Sequence, residues 1–196
     1  MRYFVFVQFG SNEVTDFLMR LRAALTQNKT ISPIHVTLRG PYPKPPPLDE
    51  LEAFAERLRG YGVKIHDHGY FNIPSGFAVF LRAECSIFRE LWHKPDFKVS
   101  PALIQPHITV FESSEREAAQ RVRDFLRREG IYIHTYDLFI SVYGSKIKQP
   151  DLFGIPAIAP PGERIRRDIW RLPEDVIERA QELGQELASM RRKSEA

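Results

Sequence analysis

At 196 residues the chain suits one ordinary domain or two small interlocked lobes and is too short for two independent domains of typical size; 43% hydrophobic and 27% charged residues exclude global disorder. The 28 Lys and Arg against 25 Asp and Glu leave a net charge of +3, too small to indicate non-specific coating of nucleic acid, so any anion binding is expected at a local site. Cys85 is the single cysteine, which excludes an intramolecular disulfide and a Cys-based zinc site and suits a reducing, cytoplasmic location.

In chain order, the aromatic and β-branched run Tyr3 to Phe9 predicts a first strand rather than a signal peptide, and it stops at Gly10-Ser11-Asn12. Val14, Phe17, Leu18, Leu21 and Leu25 then recur at helical spacing to about Gln27. Ile34 to Leu38 alternates as a short strand ended by Gly40-Pro41, followed by a stiff proline-rich loop and an amphipathic helix from Leu48 to about Arg59. Val63 to Ile73 and Phe77 to Ala83 read as a hairpin turned at Pro74-Ser75-Gly76. A short helix over Ser86 to Trp92, a strand His107 to Phe111, a helix Glu115 to Glu129, and strands Ile131 to Ile133 and Leu138 to Tyr143 complete the pattern. After Pro150, Pro156, Pro160, Pro161 and Gly162 punctuate an apolar connector, and a charged helix runs from Pro173 towards Lys193. No stretch approaches the ~20 uninterrupted apolar residues a membrane helix needs, and no membrane association is expected. Short strands with few full crossovers favour an α+β arrangement with antiparallel sheets. A glycine-rich nucleotide loop is not present in the sequence.

One feature carries chemistry. His35-Val36-Thr37-Leu38 and His107-Ile108-Thr109-Val110 are two copies of His-apolar-Thr-apolar, each with a proline one or two residues upstream. Six His and six Thr would yield about 0.2 His-x-Thr pairs by chance, so the duplication is the signal. On a strand, residues i and i+2 share a face about 6.5 Å apart, so each His stands beside its Thr while the apolar residues anchor the strand from behind. Two imidazoles and two hydroxyls facing each other would supply a proton acceptor, a proton donor and two neutral hydrogen-bond donors, the equipment for phosphodiester chemistry without metal or cofactor.

The pair HVTL and HITV, 72 residues apart and embedded in PIHVTLRGPY and QPHITVFE, resembles the 2H phosphoesterase superfamily, in particular its bacterial 2′-5′ RNA ligase-like (LigT-like) branch. The resemblance covers residues 1–148 and leaves 149–196 as a connector and C-terminal helix. It implies a bilobal α+β fold, two antiparallel sheets flanking a central cleft with helices outside. It also implies hydrolysis of 2′,3′-cyclic phosphate at RNA ends or in small cyclic nucleotides, with reversible 2′-5′ ligation in some members. Carried over by position, His35 and His107 become the acid/base pair, in either order, and Thr37 and Thr109 the phosphate-binding hydroxyls. A monomer without metal or cofactor is expected.

Further substrate contacts are expected from Arg39, placed by simple alternation on the face of His35 and Thr37, and from Tyr42, Tyr143 and Lys146, with Phe9 and Lys148 as lesser candidates. Alternation puts Glu112 on the opposite face, with Ile108 and Val110. His66 and His68 would share a strand face and could offer two metal ligands, though a solvent-facing strand is the better reading. His93 and His134 read as structural or exposed. Arg164, Arg166, Arg167 and Arg171, with Ile165 and Trp170 between them, could bind an RNA backbone, though a salt-bridged surface or a packing segment is the better reading. The alternative to an enzyme is a non-catalytic nucleotide- or RNA-binding module using the same cleft.

Overall fold

A computed structural model describes residues 2–27, 33–92, 105–144 and 169–194. The elements are β1 (Tyr3–Phe9), α1 (Asn12–Thr26), β2 (Val36–Tyr42), α2 (Leu48–Arg57), β3 (Val63–Ile73), β4 (Gly76–Glu84), α3 (Phe88–Leu91), β5 (His107–Ser113), α4 (Arg116–Glu129), β6 (Tyr132–Thr135), β7 (Leu138–Gly144), β8 (Ile169–Arg171) and α5 (Val176–Ser194). They form an α+β fold with two sheets, β2-β1-β7 and β5-β4-β3-β6-β8, in which the neighbouring strands are antiparallel.

Local chemistry explains the principal boundaries. The Ser11 hydroxyl accepts the Val14 amide and caps α1, whose Val14, Leu18, Leu21 and Leu25 are almost wholly buried. Each such side chain stabilises the fold by roughly 1.5–3 kcal/mol through removal from water. Although α1 follows β1, it packs on β5 and α5, whereas α2 touches β7, α3 touches β2, and α4 covers β3, β4 and β5. Chain order thus crosses between the sheets.

Several strands outrun their expected ends, among them the two motif strands. β2 continues through Gly40-Pro41 to Tyr42, because it is an edge strand where a proline removes no ladder hydrogen bond and because residue 40 is glycine. Gly40 has φ +111°, and a Cβ there would lie 2.6 Å from the Tyr3 carbonyl oxygen. β5 runs on to Ser113, zipped to the start of β4 by Phe77 opposite Ser113 and Ala78 opposite Glu112. The Ser113 hydroxyl then accepts the Glu115 amide at the mouth of α4.

The described C-terminal residues, 169–194, pack into the body of the protein. β8 extends the larger sheet beyond β6, Trp170 meets Phe17 edge-on, and Val176, Ala180 and Leu187 of α5 join the common core. Close approach of α5 to α1 depends on Gly184, where a Cβ would fall 2.1 Å from the Ala24 carbonyl oxygen. Three residues are too few to show a strand period, so the sequence carries no signal for β8. Among the described residues no helix is long and apolar enough to cross a membrane.

Candidate active site

The two motif strands are built alike. His35 Nδ1 lies 2.8 Å from the Pro33 carbonyl oxygen, and His107 Nδ1 lies 2.8 Å from the Gln105 carbonyl oxygen, in each case two residues upstream. A carbonyl only accepts, so Nδ1 donates its proton in both rings and Nε2 is the nitrogen that gains or loses one. Each motif threonine stands opposite a phenylalanine of the neighbouring strand, Thr37 opposite Phe6 and Thr109 opposite Phe80. Those phenylalanines seat the histidines: the Phe6 and His35 rings stack with centroids 3.7 Å apart, and Phe80 and Phe71 each lie 5.0 Å from His107. Gly69, paired with Phe80, leaves space for that ring, since a Cβ there would come 2.4 Å from its tip.

Immediately after each threonine the register slips by one residue. Phe6 pairs with Thr37 but Val5 with Arg39, and Phe80 pairs with Thr109 but Val79 with Phe111. Leu38 and Val110, the fourth residues of the two motifs, are therefore the extra residues of matching β-bulges, and both are fully buried.

The bulges correct two expectations from simple alternation. Arg39 stands opposite core Val5, on the far side from Thr37. Its Nε donates to the Leu91 carbonyl oxygen at 2.6 Å, its Nη1 pairs with Glu50 at 3.1 Å, and its guanidinium lies 3.9 Å above the Phe54 ring. Tyr42 belongs to the same group: it hydrogen-bonds Arg39 and feels Glu50, and burial pushes its hydroxyl pKa up. Conversely, Glu112 pairs with Ala78 and shares the face of Thr109 and Phe80 rather than that of Ile108.

A third bulge, at Asp67 with φ +51°, separates His66 from His68. His66 stands opposite Arg82 and His68 opposite core Leu81, so the two point to opposite faces and do not form a ligand pair. The charges of Arg123, Arg127 and Asp124 on α4 reach His68. His66 Nε2 instead lies 3.1 Å from Glu84, though off line for a hydrogen bond. Among the described residues no group of three His, Cys, Asp or Glu could hold a metal ion.

Of the other candidates, Tyr143 stands opposite Phe4 and stacks on Phe6 at 5.5 Å from the β7 side, whereas His35 stacks on the same ring from the β2 side. Phe9 is buried in the core, and His134 packs against Tyr136. Lys146, Lys148, His93, Arg164, Ile165, Arg166 and Arg167 lie outside the described residues.

β2 and β5 are in contact, and the charges of His35 and His107 act on each other. His35 is held down to about 4, chiefly because burial disfavours its charged form; the positive charges of Arg22 and His107 push the same way, and the Pro33 carbonyl opposes them. Arg22, on α1, is itself buried, with its own pKa lowered by desolvation and raised by Glu112. Its charge thus couples to both motif strands. No protein-family model and no curated protein matches the chain.

Sequence reasoning missed Arg22, Phe6, Phe80 and Arg82. Arg22 had no signal, because helical spacing alone puts it between core positions. Arg82 had one: in β4 the residues Phe80, Arg82 and Glu84 alternate with buried Val79, Leu81 and Ala83, and Arg82 stands directly opposite His107.

Proposed function

We propose that the protein is a metal-independent cyclic phosphodiesterase of the 2H type, in which the two sheets form lobes on either side of a cleft and hydrolyse 2′,3′-cyclic phosphate at RNA ends or in small nucleotides. The observation that carries this reading is the twin arrangement of His35 with Thr37 and His107 with Thr109. In both, Nδ1 is locked by a carbonyl, Nε2 is the exchanging nitrogen and a hydroxyl stands on the same face.

In this reading the lowered pKa of His35 favours one division of roles. His35 is neutral at physiological pH and serves as general base, and His107 in its protonated form serves as general acid. His35 Nε2 takes a proton from water as the water oxygen bonds to phosphorus. The bond from phosphorus to one ribose oxygen breaks, and His107 gives that oxygen its proton. Thr37 and Thr109 donate to the non-bridging oxygens, where negative charge accumulates. The product is a 2′- or 3′-phosphomonoester, and proton exchange with solvent restores the starting state. A bound phosphodiester anion strengthens His35 as a base, because a nearby negative charge favours its protonated form.

A 2′,3′-cyclic mononucleotide and a cyclic-ended oligoribonucleotide, assayed in EDTA, test the reading. Turnover that persists in EDTA and vanishes in His107→Ala supports it. Activity abolished by EDTA and restored by a divalent ion contradicts it, and nucleotide binding without any product selects the non-catalytic binding module.

A further inference from the structure

The larger sheet carries a line of side chains that the hydrolytic chemistry does not use. Starting from His107 on β5, the residues directly across on successive strands are Arg82 on β4 and His66 on β3. The His66 ring then lies 6.2 Å from that of Tyr132 on β6, and Tyr132 stands opposite Arg171 on β8, whose guanidinium is 5.8 Å from the Tyr132 ring. All lie on the sheet face opposite the one buried against α4. On that buried face Leu81, Ile65, Ile133 and Ile108 belong to the core, and each line residue is a chain neighbour of one of them or, for Arg171, of core-packed Trp170.

The composition of this line is cation, ring, ring, cation, leading away from a motif histidine. With strands about 4.8 Å apart, four steps from His107 to Arg171 span roughly 19 Å, longer than a single nucleotide. The Arg82 side chain is 40% exposed and Arg171 is exposed, while Tyr132 is half-buried and the His66 ring, 26% exposed with Nε2 buried and Nδ1 3.4 Å from Asp67, offers only part of its surface to a ligand. Glu84, 3.4 Å from Arg82 and 3.1 Å from His66, steadies both from the next row. Arginine contacts to a phosphate chain alternating with aromatic faces for bases are the means by which single-stranded nucleic acid is held without sequence readout.

We propose that Arg82, His66, Tyr132 and Arg171 form a binding track for the single-stranded RNA that precedes the reacting terminus. This inference rests on the phosphodiesterase reading and deepens it: the preferred substrate is an oligoribonucleotide end rather than a free cyclic nucleotide. The track also gives Arg171 and Trp170 their separate tasks, the tryptophan anchoring β8 in the core while the arginine faces the ligand.

Two measurements on the full chain test it. In the first, a fluorescein-labelled hexaribonucleotide ending in 3′-phosphate is titrated by anisotropy at several salt concentrations. Tyr132→Ala is expected to bind about 5- to 150-fold more weakly, the span given by loss of one base-aromatic stack, and Tyr132→Phe to bind like wild type. Arg171→Gln, a change at an exposed position, is expected to lower the slope of log K against log salt by about 0.7. In the second, kcat/KM is compared for a 2′,3′-cyclic mononucleotide and a cyclic-ended hexaribonucleotide. Tyr132→Ala and Arg171→Gln are expected to reduce the hexaribonucleotide value alone. Wild-type affinity and salt slope in both variants, or equal loss on both substrates, would overturn the track. A wild-type protein that turns over neither substrate refutes the enzyme reading, while the anisotropy arm still decides the track.

Discussion

The strands β2 and β5 share one scaffold and differ in their surroundings. Both lock a histidine through a carbonyl two residues back, both set threonine against phenylalanine, and both bulge at the residue after the threonine. Beyond the bulge they part: β2 turns Arg39 into the packing against α2 and α3, whereas β5 sends Glu112 onto the motif face, where it meets the charge of Arg22. His35 is sealed by a stacked Phe6 and held neutral, while His107 stands next to the half-exposed Arg82. A repeated backbone device positions two chemically equal groups in unlike surroundings, and in the proposed reaction that difference would let His35 act as base and His107 as acid.

If that division of labour holds, the largest effects come from the histidines. His35→Ala and His107→Ala are each expected to lower kcat by about 10²–10⁴ on cyclic-phosphate substrates, as loss of a general acid or base does. Thr37→Val and Thr109→Val, which keep the strand shape and remove a donor, should each cost about 10²–10³ in kcat. Near-equal losses from the two threonines would show that both lobes grip the phosphate, and a loss confined to one would break the symmetry.

Stability against pH probes the buried half of the pair. His35 has a folded-state value of about 4 against an ordinary value near 6.5, so the unfolded chain binds the extra proton first as pH falls. The contribution is fully present above pH 6.5 and is lost on acidification towards pH 4, on the order of 3 kcal/mol in all. Chemical denaturation between pH 7 and 4 should show this loss in wild type, and His35→Gln should show a shallower fall. Identical slopes would mean that His35 is not held neutral by burial.

Smaller effects separate scaffold from site. Arg39→Met removes the donor to Leu91 and the Glu50 ion pair while keeping contact with Phe54, so thermal stability should drop by roughly 1–3 kcal/mol with kcat/KM nearly unchanged. A large loss of turnover at unchanged stability would return Arg39 to the substrate face. Gly69→Ala pushes on Phe80 and through it on His107, and is expected to reduce kcat severalfold with little change in KM.

Most strands and helices were legible in the sequence because hydrophobic period and turn residues agree along β1, α1, the β3–β4 hairpin and α4. The paired histidines and threonines were legible as a duplication, and alternation correctly set each pair on one face up to the threonine. What alternation could not show was the residue after it. A bulge leaves no period of its own, so Arg39, Glu112 and the pair His66 and His68 were assigned to the wrong faces, each by a one-residue slip. Arg22 was hidden for a different reason. It reaches the site from α1, a helix whose chain neighbour β1 lies in the other sheet, and no local pattern announces that crossing.

In the proposed reaction, two histidines on twin bulged strands divide the proton transfers of cyclic-phosphate hydrolysis. Phosphorus NMR of a 2′,3′-cyclic-phosphate dinucleotide, incubated in EDTA with wild type, His35→Ala and His107→Ala, tests it most directly. Wild type is expected to convert it to a single phosphomonoester isomer, and either variant to do so about 10²–10⁴ times more slowly. Conversion at the wild-type rate by either variant, or none by wild type, would contradict it.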